Sequence, residues 1–460
     1  MKIRKSFNFS CAISGATVLL VTTLACGTLL AETITLNLDQ AIERANHHDP
    51  RIAEKEKLVG VAHGLLEEAT GSESWIYGVN AFAAFAPKQK GGVVEKQGSL
   101  QIAADAFDFN GVSPWYNVDF SALHPLYTYN KVESYTKAAE QNIKLSEGDV
   151  QLERANTYID VVRAYNGYLA SRDARKLLED ANNKAESALK LIEDWLEKGS
   201  GQAKQSDLFA LQTGTAIIKR YISQAQGFEA VALAGLKMLT GVSKGEVLEL
   251  ADKRIEPVAM IDTSLDELQQ LAMSNRVEMM QVEAGLEARR ALVDAKKAEY
   301  YPNVYGGVVG SIAVSPGRDR DALTQDYDPF NHGGLTPIIG IKWDLWSGQK
   351  KGQVSQAEAQ YNALLEKKSF AQMGIPFQVA EQYHQMHAHN EMVKKLYDGA
   401  ISGRRWMIAT YADFEAGLDS SANLVTAFQG YVLAYTSYFE AVNDYNLTVA
   451  RLKVAIGEIK

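Results

Sequence analysis

The chain has 460 residues, of which 22% are charged and 46% are hydrophobic, and its formal net charge is −9. An acidic balance of this size makes nucleic acid an unlikely class of partner, so none is expected. The two cysteines, Cys11 and Cys26, both lie near the start of the sequence. The rest of the chain therefore has no thiol for catalysis and none for a disulfide.

The segment 1–31 has the order and composition of a secretory signal peptide. Lys2, Arg4 and Lys5 precede an apolar stretch over 11–30, and we expect cleavage after Ala31. Removal of this segment leaves 44 basic and 56 acidic residues, a net charge of −12. Two alternatives remain open at this point: a lipoprotein that begins at Cys26, and a leader that is retained as an anchor.

The remaining sequence predicts the same series of elements twice: a helix, two strands, a very long helix, a glycine turn and another long helix. Helices are predicted over six ranges: 38–70, 131–198, 204–240, 264–298, 350–413 and 420–457. Strands are predicted over 75–87, 115–126, 302–315 and 337–346. The fold class is therefore mainly α with a small β portion. Beyond the leader no segment is apolar for as long as a transmembrane helix requires, so any membrane span in the mature chain is expected to be a β-barrel.

The two series also share sequence, which predicts an internal duplication. A single gapless offset pairs Gly201 with Gly417, and the same offset pairs Gly241 with Gly457. We therefore divide the mature chain into a first repeat over 32–250, a linker over 251–263 and a second repeat over 264–460. Chance matching is the alternative explanation for so few identities.

The last predicted helix carries an uninterrupted heptad pattern. Large apolar residues alternate spacings of four and three at Leu424, Phe428, Tyr431, Tyr435, Tyr438, Val442, Tyr445, Val449, Leu452 and Ile456. A second line of small residues follows at Ala427, Ala434, Ala441, Thr448 and Ala455. Two lines predict two neighbouring helices, in either a closed wall or a bundle. The longest helix, starting at Lys131, would extend about 100 Å, which is unusual for a globular bundle.

Three segments resemble the TolC-like outer-membrane efflux protein family. Residues 343–359 resemble the strand-to-helix junction of that family, residues 411–427 its helical-hairpin tip, and residues 123–127 the first-half version of the strand end. The resemblance implies a homotrimer in the outer membrane of a Gram-negative bacterium, with four strands per protomer in a 12-stranded β-barrel and a periplasmic α-barrel. It also implies a passive exit duct for efflux or secretion that works with a periplasmic adaptor protein and an inner-membrane pump or ABC transporter.

The resemblance further assigns roles to the two hairpin tips. The adaptor would dock at the turns formed by Ser200, Gly201, Gln202, Ala416, Gly417 and Leu418. Asp207 and Asn423 match the positions that line the periplasmic aperture, and Thr426 stands where the family often has a second acidic residue. A simpler interpretation of Asp207 and Asn423 is that they cap the returning helices, since both residue types favour helix starts.

Aromatic residues flank the predicted strands and suit the interfacial belt of a membrane protein. They are Trp115, Tyr116, Tyr300, Tyr301, Trp343 and Trp346. Contact with outer-membrane lipid would follow. The alternative is that these side chains fill the core of a soluble sheet.

The sequence contains no recognisable catalytic constellation, and we expect neither an enzyme nor a cofactor. His384 and His387 could share a helix face, but a solvated face explains them more simply than a metal site. Pro376 interrupts a long predicted helix, where we expect a kink. Two other classes of protein remain as alternatives: a structural or adhesive periplasmic coiled coil without pore activity, and a helical-bundle enzyme.

Overall fold

The computed structural model describes residues 33–88, 93–96, 99–102, 111–199, 201, 203–243, 245–318, 328–345 and 348–459. The predicted signal peptide, residues 1–31, lies outside these ranges. The first half of the chain contains β1 (Thr33–Leu36), α1 (Leu38–His48), α2 (Pro50–Gly71), β2 (Ile76–Pro87), β3 (Val93–Lys96), β4 (Ser99–Ile102), β5 (Val112–Tyr127), α3 (Lys131–Glu197), α4 (Gln205–Thr240) and β6 (Val247–Leu250).

The second half contains α5 (Leu265–Asn275), α6 (Val277–Ala298), β7 (Asn303–Val314), β8 (His332–Lys342), α7 (Gly348–Glu415) and α8 (Ser421–Ala455). Corresponding elements of the halves have similar lengths: α2 and α6 both have 22 residues, and α3 and α7 have 67 and 68. Each of the two longest helices extends about 100 Å.

Two predicted helices are each divided into a short and a longer helix. The first ends at His48, and α2 begins at Pro50 after Asp49, whose carboxylate accepts the Arg51 amide and caps the new helix. The second division falls at Arg276, whose backbone is extended. By contrast, α7 is continuous through Pro376, where the Gln269 side chain donates to the Pro376 carbonyl at 3.0 Å.

The four longest strands form one antiparallel sheet in the order β2, β5, β7, β8. Ile76 lies opposite Leu123, Tyr116 opposite Val314, and Asn303 opposite Lys342. All four strands connect to helices at the same end of the sheet, which we call the helix end; the opposite end is the outer end. Strands β2 and β8 are the two edges, and neither is paired on its other side among the described strands.

Two smaller strand pairs were not predicted. Strands β1 and β6 pair in parallel, although they stand at the beginning and the end of the first half of the chain. Strands β3 and β4 form an antiparallel hairpin in the connection between β2 and β5. Each of these strands is too short for a period-two pattern to stand out.

The helices pack side by side, and α3 lies inside the layer while α7 lies at one edge. Near the sheet the order of contacts is α2, α3, α6, α7. Beyond the middle of the molecule α4 replaces α2 beside α3, and α8 lies between α3 and α7. No helix among the described residues is long and apolar enough to cross a membrane.

The heptad prediction for α8 agrees with its packing. Most of the ten large residues of the pattern are buried, and Tyr435 and Tyr438 are partly buried against the same clusters. The small residues allow close approach, since a Cβ atom built at Gly403 of α7 would lie 3.6 Å from the Ala434 Cβ atom. Helix α8 therefore has neighbours on both sides, α7 and α3, as the two lines of residues predict.

Candidate functional site

The turn between α7 and α8 ends the second helical hairpin. Gly417 has φ +69°, and its amide donates to the Phe414 carbonyl at 2.9 Å. The next amide, that of Leu418, donates to the Asp413 carbonyl at 2.8 Å. These two bonds close the end of α7, and glycine accepts the left-handed backbone without a side-chain penalty. The Leu418 side chain is 80% exposed, so it presents an apolar contact surface at the end of the molecule.

The turn between α3 and α4 ends the first hairpin. Gly199 and Gly201 both have positive φ, at +64° and +74°. Ser200 and Gln202, which belong to the predicted docking set, lie outside the described residues. The corresponding glycine of each hairpin, Gly201 or Gly417, therefore adopts the left-handed conformation.

Asp207 joins the two hairpins close to their tips. One carboxylate oxygen accepts the Lys204 backbone amide at 2.8 Å, and the other accepts the Ser421 hydroxyl of α8 at 2.6 Å. These bonds from Ser421 and Lys204 lower the pKa of the Asp207 carboxyl below its ordinary value. The carboxylate is thus ionised at neutral pH, caps α4 and holds the start of α8.

Asn423 has a different environment from its counterpart Asp207. Its side chain is exposed, and its amide group donates to the Asp419 carboxylate at 2.7 Å. The cap of α8 is Ser420, whose hydroxyl accepts the Asn423 backbone amide. The capping interpretation therefore describes one contact of Asp207 but not the side chain of Asn423. The contact of Ser421 with Asp207 carried no signal in the sequence.

The two faces of the four-stranded sheet differ in chemistry. Because successive side chains of a strand point to opposite faces, the registers assign each residue to one face. One face, which we call the apolar face, holds Tyr77, Val79, Phe85, Tyr116, Val118, Phe120, Val304, Val308, Ile312, Leu335, Ile339 and Ile341. The other face, which we call the polar face, is mixed: its polar residues are Asn80, Asn117, Asp119, Ser121, Ser311, His332, Thr336 and Lys342, and it also holds Phe82, Trp115, Leu123, Tyr305, Val309 and Ile338. Many of the apolar-face side chains are exposed, among them Ile339 at 81%.

Aromatic side chains cluster at the helix end of the sheet. Tyr129 packs between Tyr127 and Tyr301, with ring centroids at 4.5 and 5.0 Å. The Trp343 indole donates to the Tyr300 carbonyl at 3.0 Å. All five rings are at least one-third exposed. Tyr127 and Tyr129 were not among the predicted belt residues, although Tyr127 ends β5 and Tyr129 follows it closely, much as Trp343 follows β8.

The other predicted aromatics lie at the outer end or outside the described residues. Tyr116 lies on the apolar face and is 53% exposed. Trp115 lies on the polar face instead, where its ring packs against Phe82 at 5.0 Å and Phe330 at 5.3 Å. The structure therefore does not bring Trp115 together with the apolar-face aromatics. Trp346 lies outside the described residues.

The histidines of α7 contact aromatic and hydroxyl groups. The ring of Tyr383 lies edge-on to His387 at 4.5 Å and to His384 at 5.6 Å. The His389 Nδ1 atom lies 2.9 Å from the Thr448 hydroxyl of α8. The contacts of His384 and His387 with Tyr383 lie within α7, whereas the contact of His389 with Thr448 joins α7 to α8.

Comparison with known proteins agrees with this architecture. Residues 268–458 match the family model described as outer membrane efflux protein. The fold is similar to that of CusC, at a TM-score of 0.73, 14% identity and coverage of 92% of each chain. It is also similar to the Campylobacter jejuni CmeC outer membrane channel, at a TM-score of 0.74, 12% identity and coverage of 97% of this chain and 94% of that one. Comparison of the sequence with curated proteins gives no significant match.

A third structure with this fold is the outer membrane protein VceC of Vibrio cholerae, at a TM-score of 0.70, 15% identity and coverage of 91% of this chain and 96% of that one. The family model that matches residues 268–458 describes channel proteins and not enzymes. The resemblance to the TolC-like outer-membrane efflux protein family is confirmed: residues 268–458 match the family model, and the fold similarity to CusC covers 92% of the chain.

Proposed function

We propose that this protein is the outer-membrane exit duct of an efflux or secretion system, formed by three copies of the chain. The observation that carries the proposal is the pair of open edges that runs the length of the molecule. Strand β8 and helix α7 form one edge, whereas β2, α2 and α4 form the other. Contact between unlike edges joins copies head to tail, and such contacts generate a ring when the rotation closes.

The exposed side chains along the helical edges favour this association. On α4 the apolar residues Ile217, Tyr221, Phe228, Val231 and Met238 follow a heptad pattern and are all exposed. On α7 the exposed residues include Phe370, Met373, Phe377, Trp406 and Ile408. An exposed apolar heptad line on α4 suits packing against a helix of a neighbouring copy.

The two faces of the sheet indicate where lipid and water would lie. Twelve strands from three copies would close into a barrel, with the apolar face toward lipid and the polar face toward the lumen. Tyr116 and Tyr127 lie at opposite ends of the sheet, where they pair with Val314 and Val304 of β7, ten strand positions or about 33 Å apart along the strand. With a tilt of about 40° this gives an apolar band of about 25 Å between the aromatic girdles.

The same geometry disfavours a periplasmic coiled coil without a pore. A sheet with open edges and a large exposed apolar face is costly in water, and such edges also pair with other chains. The passive duct needs an energy source, which we assign to an inner-membrane pump reached through a periplasmic adaptor at the hairpin tips. Gly201, Ala416, Gly417 and Leu418 would form the docking surface, together with Ser200 and Gln202.

Cross-linking between the sheet edges tests the ring. If the two halves are repeats, the pairing of β5 with β7 inside one copy has its counterpart between β8 of one copy and β2 of the next. We align β2 with β7 by the offset between α2 and α6, and β5 with β8 by the offset between α3 and α7. This alignment places Ile339 opposite Ala81, and both residues lie on the apolar face. A variant with Ala81→Cys and Ile339→Cys should form disulfide-linked dimers and trimers on oxidation, because cross-strand Cβ atoms lie about 4.5 to 5.5 Å apart.

Each single cysteine variant is the matched control and should give no ladder. The sequence contains only Cys11 and Cys26 besides the new cysteines. If oxidation of the double variant in outer-membrane fractions yields monomer alone, and pairs shifted by two residues do the same, the closed ring is wrong.

We further propose that Asp207 and Asn423 line the periplasmic aperture, where only Asp207 supplies charge. Asp207→Asn should lower cation selectivity and weaken block by trivalent cations, because convergent carboxylates attract cations. The asparagine can keep only one of the two acceptor contacts, so we expect a stability loss of about 1 kcal/mol. Thr426→Asp is the matched control and should raise cation selectivity. Unchanged selectivity of the Asp207→Asn trimer, with a lower melting temperature, would leave Asp207 only its capping role.

A further inference from the structure

The polar face of the sheet carries a hydrogen-bonded cluster around one carboxylate. The Ser311 hydroxyl donates to one oxygen of Asp119 at 2.7 Å, and the Asn117 amide donates to the other at 2.9 Å. The His332 Nε2 atom lies 3.0 Å from the Ser311 hydroxyl oxygen. The cluster joins β5, β7 and the start of β8 near the outer end of the sheet.

The charge of Asp119 is not required by these contacts. Both hydrogen bonds come from neutral groups, and an amide side chain could take part in a similar network with Ser311 and Asn117. Among the described residues no lysine or arginine forms a salt bridge with Asp119. A purely structural role would therefore need the hydrogen bonds but not the negative charge.

Lys342, the lysine of β8 on this face, lies far from Asp119. Asp119 pairs in register with Ser311, whereas Lys342 pairs with Asn303. Eight residues of β7 separate the two layers, which is about 26 Å along the strand. This exceeds the Debye length of about 8 Å at physiological ionic strength, so Lys342 does not neutralise the potential around Asp119. Nearer the outer end, Arg318 is paired with Asp328 at 3.8 Å.

We propose that Asp119 sets the ion preference of the barrel segment of the pore, as a second determinant separate from the periplasmic tips. The inference rests on the proposed function, because three carboxylates face one lumen only in a closed trimer. There they would attract cations and repel anions over the outer part of the passage. Helix α3 lies between the tips and the sheet, so the two determinants are about 100 Å apart.

The effect depends on salt, because the barrel is wide. Twelve strands at their usual spacing and tilt place the carboxylates roughly 10 Å from the axis. The Debye length is about 30 Å at 0.01 M salt and about 3 Å at 1 M. Asp119 should thus govern selectivity in dilute salt and lose its influence in concentrated salt.

Reversal potentials in planar bilayers test the proposal. Under potassium chloride gradients near 0.01 M, Asp119→Asn should lower the ratio of potassium to chloride permeability at least twofold. Lys342→Gln should raise the same ratio, and Asp119→Glu, which keeps the charge, should preserve it. At 1 M all four proteins should give the same ratio.

Two results would overturn the proposal: an unchanged ratio for Asp119→Asn in dilute salt, or a change of equal size at 1 M, which would indicate altered pore shape instead of charge. Failure of the wild-type protein to conduct at all would contradict the proposed function, and the inference with it. A conducting wild type and an unaltered Asp119→Asn variant would contradict the inference alone.

Discussion

Asp49 occupies the junction of α1 and α2, and its replacement by alanine should loosen that junction strongly. The side chain is 4% exposed and caps α2 through the Arg51 amide at 2.9 Å. It also accepts the hydroxyl of Thr157, a fully buried residue of α3, at 2.8 Å. Arg51 pairs with Asp49 at 2.7 Å, with Asp160 at 3.1 Å and with Glu153 at 3.3 Å.

The cost of Asp49→Ala can be summed from these contacts. Loss of the cap costs about 1 kcal/mol, and the buried Thr157 hydroxyl without its acceptor costs about 1 to 2 kcal/mol more. The half-exposed Arg51 keeps two carboxylate partners, so the lost ion pair adds little. We expect the free energy of local opening to fall by about 2 to 3 kcal/mol in total, which corresponds to roughly 30- to 150-fold faster amide exchange.

Hydrogen exchange followed by mass spectrometry measures this loss locally. Peptides that cover the first turns of α2 and the facing part of α3 around Thr157 should exchange faster, whereas peptides from α8 near Leu424 should not change. Asp160→Asn is the matched control, because Asp160 is the more exposed end of the same network, and it should alter exchange less than fivefold. Equal protection in Asp49→Ala and wild type would refute the assignment of Asp49 as the anchor of α2.

The Asp49 carboxylate should also make the free energy of unfolding depend on pH. Burial alone would raise the pKa of Asp49, but the hydrogen bonds from Arg51 and Thr157 outweigh it and lower the pKa below 3.8. A lowered folded-state pKa contributes stability above the unfolded value, and that stability is lost as the pH falls through the folded value. The difference in unfolding free energy between wild type and Asp49→Ala should therefore be constant near neutral pH and shrink below about pH 3.8.

Three further substitutions have defined outcomes. Gly417→Pro should impair export while leaving the trimer assembled, because proline cannot adopt φ +69° and has no amide hydrogen to donate to the Phe414 carbonyl. Normal export by this variant would show that the tip is not a required contact. Leu424→Ala, at a fully buried site, should destabilise the tip by about 2 to 5 kcal/mol, measured as a lower trimer melting temperature. Tyr165→Phe removes the 2.6 Å hydrogen bond to Asp252 and should cost about 1 kcal/mol in unfolding free energy, detectable in the same melting assay.

The sequence predicted the long helices well because their patterns are strong and local. Helix α3 was expected over 131–198 and spans Lys131–Glu197. The heptad pattern of α8 predicted a neighbouring helix on each side, and α7 and α3 lie there. The breaks at Asp49 and Arg276 were missed for different reasons. Pro50 is a recognisable helix start that the continuous periodicity concealed. Arg276 has no comparable local signal, and its hydrogen bond to Gln378 of α7 joins distant segments.

The site was less predictable than the fold, because it depends on contacts between distant segments. The glycines of the tips could be recognised from their spacing, but the bond between Ser421 and Asp207 joins residues 214 positions apart. The face on which Trp115 lies follows from the strand register, and an error of one residue in that register would assign the side chain to the opposite face. The cluster around Asp119 likewise needs the pairing of β5 with β7 before its members come together.

Conductance of the purified protein in planar lipid bilayers tests most directly whether this chain forms a pore. Protein extracted with mild detergent from outer-membrane fractions should run as a heat-modifiable trimer and give small, stable conductance steps. A soluble monomer that gives no steps after the same extraction would contradict the assignment of this chain as an exit duct.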